Sequence, residues 1–267
     1  MNMVEILTFE FFQNAIFASV LVSIACGTIG SLIMINRLFS MAGGITHATF
    51  GGIGIAFYFG LPLFFSTSLF TLFIGFLVAF LTQHKPHRSD SIIAVIWAFG
   101  MALGLVLLDL TPGYKSDIMA YLFGSILAIS KQDLATMLVL DGIFALLIAL
   151  FYRQFEAISF DKDFAQTKGV ATTFFHYLLI AMIAFCIVIC IKAVGLILVI
   201  ALLSIPCFIA ETFTKKLGSM MCLASCLSLL FCLVGLALSY YANLTSSAMI
   251  IMVACAGFLL CLLPRRR

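Results

Sequence analysis

The sequence predicts an all-α, polytopic transmembrane helical bundle, and three observations carry that prediction. Of 267 residues, 64% are hydrophobic and only 9% charged, where soluble domains carry about 25% charged residues. The apolar residues gather into long runs of the ~20 residues that a helix needs to cross a ~30 Å hydrocarbon core. The basic residues fall almost entirely in every second interval between those runs. The polar intervals are too short for a soluble domain, so residues 1–267 read as one transmembrane domain.

Taken in order, the first run is Phe11 to Ile35, ending at Asn36-Arg37. The residues before it have no basic stretch, so it is expected to be a span rather than a cleaved signal. The second, Ala42 to Phe59, is closed by the turn residues Gly60-Leu61-Pro62. The third, Leu63 to Leu81, meets the loop His84-Lys85-Pro86-His87-Arg88, and the fourth, Ser91 to Leu108, ends in Asp109-Leu110-Thr111-Pro112-Gly113. Ile118 to Ser130 is apolar but too short to cross, which suits an interfacial or re-entrant piece. The fifth run is Leu134 to Tyr152, followed by the longest polar interval, Arg153 to Lys168. Then come Phe174 to Ile191, Val194 to Ala210 with Pro206 inside it, Ser219 to Tyr241 and Ser246 to Leu263.

Basic residues accumulate on the cytoplasmic side of a span. With the amino terminus outside, Arg37, Lys85, Arg88, Arg153, Lys162, Lys168, Lys215, Lys216 and Arg265 to Arg267 all lie inside, and only Lys115, Lys131 and Lys192 outside. The pattern predicts about nine spans (eight or nine) and a cytoplasmic carboxyl terminus. The Arg265–Arg267 tail is then an anchor at the anionic leaflet.

The second run is the most unusual. Gly43-Gly44-Ile45-Thr46-His47-Ala48-Thr49-Phe50-Gly51-Gly52-Ile53-Gly54 sets a histidine in a glycine-rich apolar helix and supplies the only imidazole assigned to the bilayer interior. At 100° per residue, Gly44, Ala48, Gly52 and Ala56 form one small-residue ridge, with Gly51 flanking it. That ridge suits close approach of another helix or of a ligand. His47 lies ten residues past Arg37, a rise of roughly 15 Å that puts it near mid-bilayer. A neutral imidazole ligates zinc and other divalent ions. The alternative is a packing helix whose histidine hydrogen-bonds to a neighbour.

Other polar groups could join it. Asp141, about two turns into the fifth run, is costly if unpaired in lipid, on the order of 3 kcal/mol, and is a second candidate metal ligand. Ser239, Tyr240 and Tyr241 are further candidates. His84 and His87 belong to a solvated loop, and Asp109 and Glu211 sit at span ends. The nine cysteines all fall in apolar runs and read as small hydrophobes. The i,i+4 pairs Cys186/Cys190 and Cys222/Cys226 could hold a soft metal only with further ligands. In the polar interval, Asp161, Ala165 and Gly169 recur at i, i+4 and i+8. A short cytoplasmic helix there would align a small-residue edge behind an acidic start. It could dock in a groove of a soluble partner or simply connect two spans. No Gly-x-x-x-x-Gly-Lys-Ser/Thr loop, Gly-x-Ser-x-Gly or His-Glu-x-x-His is present. The chain is therefore not expected to be an enzyme, and nothing in it points to nucleic acid.

The chain resembles the membrane permeases of bacterial ABC importers for zinc, manganese and iron, the zinc-uptake type in particular, and four ordered motifs carry the resemblance. Arg37-Leu38 precedes Ile45-Thr46-His47-Ala48 and Gly51; Leu122-Phe123-Gly124-Ser125-Ile126-Leu127-Ala128-Ile129-Ser130 follows. Then come Phe160-Asp161 with Ala165 and Gly169, and Val194-Gly195 with Leu198, Ala201-Leu202-Leu203, Pro206 and Ala210. The resemblance implies a permease of the bacterial inner membrane that works as a homodimer with its path on the two-fold axis. It implies a separate ATP-binding subunit on the cytoplasmic side and a metal-delivering binding protein outside. The segment 160–170 would be the coupling helix, and Gly195 and Pro206 would break or shape the seventh run.

Two departures bear on the cargo. Many members carry Asp one turn before the histidine, and here that position is Gly43. Where others read Asp-Leu-Pro-Ser/Thr-Gly, this chain reads Asn243-Leu244-Thr245-Ser246-Ser247. Loss of a hard oxygen ligand disfavours manganese and leaves zinc, which accepts nitrogen, as the expected cargo. The chain itself is expected to hold no cofactor. Rival readings are a manganese or iron permease, a permease for a metal chelate, and a stand-alone channel or secondary carrier.

Overall fold

The computed structural model describes residues 10–112, 124, 126 and 129–263. Among these the secondary structure is helical throughout: α1 Glu10–Ile35, α2 Phe39–Phe59, α3 Leu63–His84, a 3-10 turn Pro86–Arg88, α4 Ser89–Asp109, α5 Lys131–Leu150, α6 Tyr152–Phe160, α7 Lys162–Thr167, α8 Thr172–Val194, α9 Leu196–Phe213, α10 Leu217–Ala242 and α11 Ser246–Leu262. The nine longer helices, of 17 to 26 residues, coincide with the nine predicted runs. Seven of them are long and apolar enough to cross a membrane. The two outside that set are α11, which is 17 residues long, and α2, whose glycines, threonines and His47 dilute its apolar content. Most of Ile118–Ser130, and Arg265–Arg267, lie outside the described residues.

Turns fall where the residue types demand them. Gly60 ends α2 at φ 64°, its N–H bonded to the Ala56 carbonyl. Leu61 N–H reaches the same carbonyl at 2.9 Å, so α3 turns back beside α2. Asn243 adopts the left-handed conformation, φ 52°, that closes α10, as asparagine tolerates. Within the helices, hydroxyls bond back to their own backbone: Thr46 Oγ1 donates to Ala42 O at 2.7 Å and Thr49 Oγ1 to Ile45 O at 2.8 Å. Such bonds leave no bare donor where lipid offers none. Large apolar side chains such as Phe65, Phe73, Val95 and Leu138 stay exposed, as expected of surfaces that meet hydrocarbon.

The chain forms two compact units. The first comprises Met1–Met34, Ala120–Ala145 and Ile189–Arg267. In it, α1 packs closely on α9: a β-carbon on Gly30 would stand 2.6 Å from Leu203 O and 2.7 Å from Cys207 Sγ. Pro206, buried within α9, removes the N–H that would otherwise bond to the Leu202 carbonyl. Gly195, at φ 83°, separates α8 from α9, and Gly124 sits directly on the Val194–Gly195 backbone. All nine cysteines are free thiols, five of them buried; Cys26 and Cys190 bring their sulfurs to 3.8 Å. Lys131 pairs with Glu10 at 2.6 Å, and Lys192 pairs with Asp133. Two of the three basic residues expected outside therefore carry acidic partners.

The second unit comprises Ile35–Met119 and Leu146–Val188. It holds α2, α3, α4, α6, α7 and most of α8.

Candidate functional site

The α2 helix is shaped for close approach by its neighbours. A β-carbon on Gly52 would stand 3.0 Å from Thr67 Cα of α3, and one on Gly51 3.0 Å from Gly100 O of α4. One on Gly54 would come 2.7 Å from Gly104 Cα, and one on Gly100 2.6 Å from Ala48 Cα. Gly44 meets the Ile93 side chain. The ridge Gly44–Ala48–Gly52 is thus occupied by helix packing, which resolves the choice between helix and ligand in favour of the helix. Contact positions rise together along α2 and α4, so these two helices run parallel, while α3 runs antiparallel to α2 and links to it through Thr71 Oγ1 donating to Thr49 Oγ1 at 3.1 Å.

This register sets the surroundings of His47. The Ala48–Gly100 contact brings Trp97, one turn before Gly100, over the imidazole. The two rings stack with centroids 4.4 Å apart and planes at 13°. Trp97 Nε1–H donates to Met101 Sδ at 3.0 Å, one turn further along α4. His47 lies eight residues into α2, about 12 Å from its start, and is half-buried. Its Nδ1 is buried without a hydrogen-bond partner among the described residues. Gly43, one turn earlier, faces open space: a β-carbon there would meet nothing within 4 Å.

The other expected site residues are distributed differently. Asp141 is 6% exposed, and neither carboxylate oxygen has a hydrogen-bond partner among the described residues. It belongs to the first unit, where its electrostatic neighbour is Cys190, whereas His47 belongs to the second. Among the described residues no group of three or more His, Cys, Asp or Glu could hold a metal ion. Ser239 is committed to the α10 turn, donating to Leu244 O at 2.5 Å, and Tyr240 and Tyr241 are exposed.

His176 corrects the expectation that His47 is the sole imidazole in a span. It lies near the start of α8, with Nε2 buried and without a hydrogen-bond partner among the described residues. Its place at the edge of an apolar run hid it among flanking aromatics, although the run itself was legible.

The polar interval resolves into two helices, α6 and α7. Asp161 is the N-cap of α7, its carboxylate accepting from Phe164 N–H at 2.9 Å. Ala165 is 1% exposed. Gly169 does not continue a helical edge: the helix stops at Thr167, and Gly169 takes φ 83°. Gly169 N–H bonds to Gln166 O at 3.0 Å and Val170 N–H to Ala165 O at 3.1 Å, the paired bonds of a Schellman stop. The i+8 position therefore terminates the helix instead of extending its face.

Comparison with known proteins adds an independent line. The ABC 3 transport family matches residues 8–265. The chain is 47% identical to uncharacterized membrane protein slr2045 of Synechocystis over 264 residues, covering 99% of this chain and 94% of that protein. It is 31% identical to the manganese transport system membrane protein MntC of Listeria monocytogenes, covering 97% and 92%. Among solved structures, PsaBC from Streptococcus pneumoniae in complex with Fab superposes with a TM-score of 0.89 at 28% identity, covering 98% of this chain and 95% of that one.

Proposed function

We propose, from the premise that the chain belongs to the ABC 3 transport family, that it is the permease of a divalent-metal importer and that zinc is its cargo. The chain is a multi-pass membrane permease of a metal ABC importer type. The observation that carries the finer reading is His47, a half-buried imidazole near the middle of α2 beside an empty position at Gly43. An imidazole without a neighbouring carboxylate favours a nitrogen-accepting metal over a carboxylate-preferring one. A small number of protein donors per chain also suits an ion that must leave again.

In this reading the protein lies in a bacterial inner membrane as a homodimer, with nine spans per chain and the carboxyl terminus cytoplasmic. Residues 1–267 act as one permease domain. The two His47 side chains line a shared path, Asp141 is a second candidate metal ligand, and α7 with its caps Asp161 and Gly169 couples the permease to a separate ATPase subunit. A binding protein delivers the ion from outside. ATP hydrolysis by the partner drives alternating access.

Manganese is the second reading, and the observation behind it is the name of relatives such as MntC of Listeria monocytogenes. The test is metal uptake by proteoliposomes holding the permease, its ATPase and its binding protein. The expected result is ATP-dependent zinc accumulation that His47→Ala abolishes while assembly with the ATPase persists. Normal uptake by that variant overturns the pathway role of His47, and manganese accumulation with zinc excluded overturns the cargo assignment.

A further inference from the structure

We propose that Trp97 is the positioning residue for His47: by stacking it holds the imidazole in a metal-receiving orientation, and, as the only tryptophan of the chain, it reports occupancy of that site. The inference rests on the reading of His47 as a cargo ligand.

A ligating histidine ordinarily donates its second ring N–H to a carboxylate or carbonyl, which fixes tautomer and ring angle. His47 has no such support, since its Nδ1 is buried with no partner among the described residues. The ring is instead held by an indole plane 4.4 Å away and nearly parallel to it, at 13°. The indole is oriented in turn, because its Nε1–H donates to Met101 Sδ at 3.0 Å. Beneath both rings the helix register is set by the Gly100–Ala48 contact. A chain of contacts thus runs from Met101 through Trp97 to His47, with backbone packing behind it.

The geometry has a directional consequence. The lone pair of an imidazole nitrogen lies in the ring plane, so a metal at ~2.0–2.1 Å approaches along that plane. The stacked indole covers a face of the ring and not its edge. One turn earlier on α2, Gly43 carries no side chain, and a β-carbon there would meet nothing within 4 Å. Stacking therefore fixes the imidazole without occupying a coordination position.

The test uses the full-length permease in lipid nanodiscs, titrated with Zn2+. Tryptophan emission comes from position 97 alone and is expected to change on zinc binding in the wild type but not in His47→Ala. Affinity is measured in parallel by competition with a zinc-chelating dye. Trp97→Ala is expected to weaken binding about threefold to tenfold, the scale of one aromatic pair. Trp97→Phe, which keeps an aromatic plate, is expected to restore affinity to within about twofold. Met101→Leu, which removes the sulfur acceptor while keeping volume, is expected to shift the emission maximum and give an intermediate affinity. A structural role alone would lower the yield of folded dimer without this Ala-to-Phe rescue. Zinc binding that needs His47 but is indifferent to Trp97→Ala overturns this inference and leaves the pathway reading standing. Zinc binding indifferent to His47→Ala overturns both.

Discussion

Gly54 and Gly104 meet backbone to backbone: a β-carbon on Gly54 would stand 2.7 Å from Gly104 Cα, and one on Gly104 2.5 Å from Phe50 O. Between parallel helices in a bilayer, such contacts supply the packing that the hydrophobic effect does not. Overpacking of this kind costs about 1–3 kcal/mol. Gly104→Val is therefore expected to lower the thermal midpoint of the solubilised permease and to separate Trp97 from His47. Circular dichroism melts and the Trp97 emission maximum check it, and an unchanged melt would show that α2 and α4 are not locked there.

Gly43→Asp tests what decides the cargo. The position has open space and lies one turn before His47, so an added carboxylate would share its face without a clash. Manganese prefers oxygen ligands. The ratio of manganese to zinc uptake is expected to rise about tenfold, the scale of a 1.4 kcal/mol differential. Competitive uptake of the two ions measures it. A ratio that stays flat would mean that this face does not meet the ion.

Asp141 separates stability from transport. Its buried oxygens have no hydrogen-bond partners among the described residues, so Asp141→Asn relieves the cost of a lone carboxyl in the interior. The expected variant melts at the same temperature or higher yet takes up zinc at least tenfold more slowly, about 1.4 kcal/mol in the barrier. Wild-type uptake would remove Asp141 from the path.

The cap of α7 makes a further test. Asp161→Ala deletes the bond to Phe164 N–H, a loss of about 1 kcal/mol. Gly169→Val forces a branched side chain into φ 83°, where such residues rarely sit. Both variants are expected to retain zinc binding but to lose copurification with the ATPase and transport-linked ATP hydrolysis. Full copurification by both would dissociate α7 from coupling.

Much of the architecture was legible in the residues. Each of the nine longer helices lies within a few residues of a predicted run, because continuous apolarity over ~20 residues leaves a helix as the only way to satisfy the backbone in lipid. The turn at Gly60 was likewise written locally. What escaped was non-local. Trp97 lies far along the chain from His47, and only the register of Gly100 against Ala48 brings the two rings together. The spacing Asp161, Ala165, Gly169 looked like one helical face, but a glycine at that point stops the helix as readily as it prolongs an edge. The small-residue ridge of α2 allowed two kinds of partner, and its choice of α3 and α4 depended on side chains elsewhere.

The six-residue helix α7 has one further consequence. A helix so short does not persist alone in water, since nucleation outweighs the few bonds it gains. Here it is closed at one end by a carboxylate and at the other by a left-handed glycine, while Ala165 is seated in the permease itself. Its shape therefore exists before any soluble partner arrives. A groove that received it would meet a finished key, with Phe164 already turned outward and 57% exposed. Conformational freedom would then be lost when the permease folds and not at such an encounter, so association would not wait on local ordering.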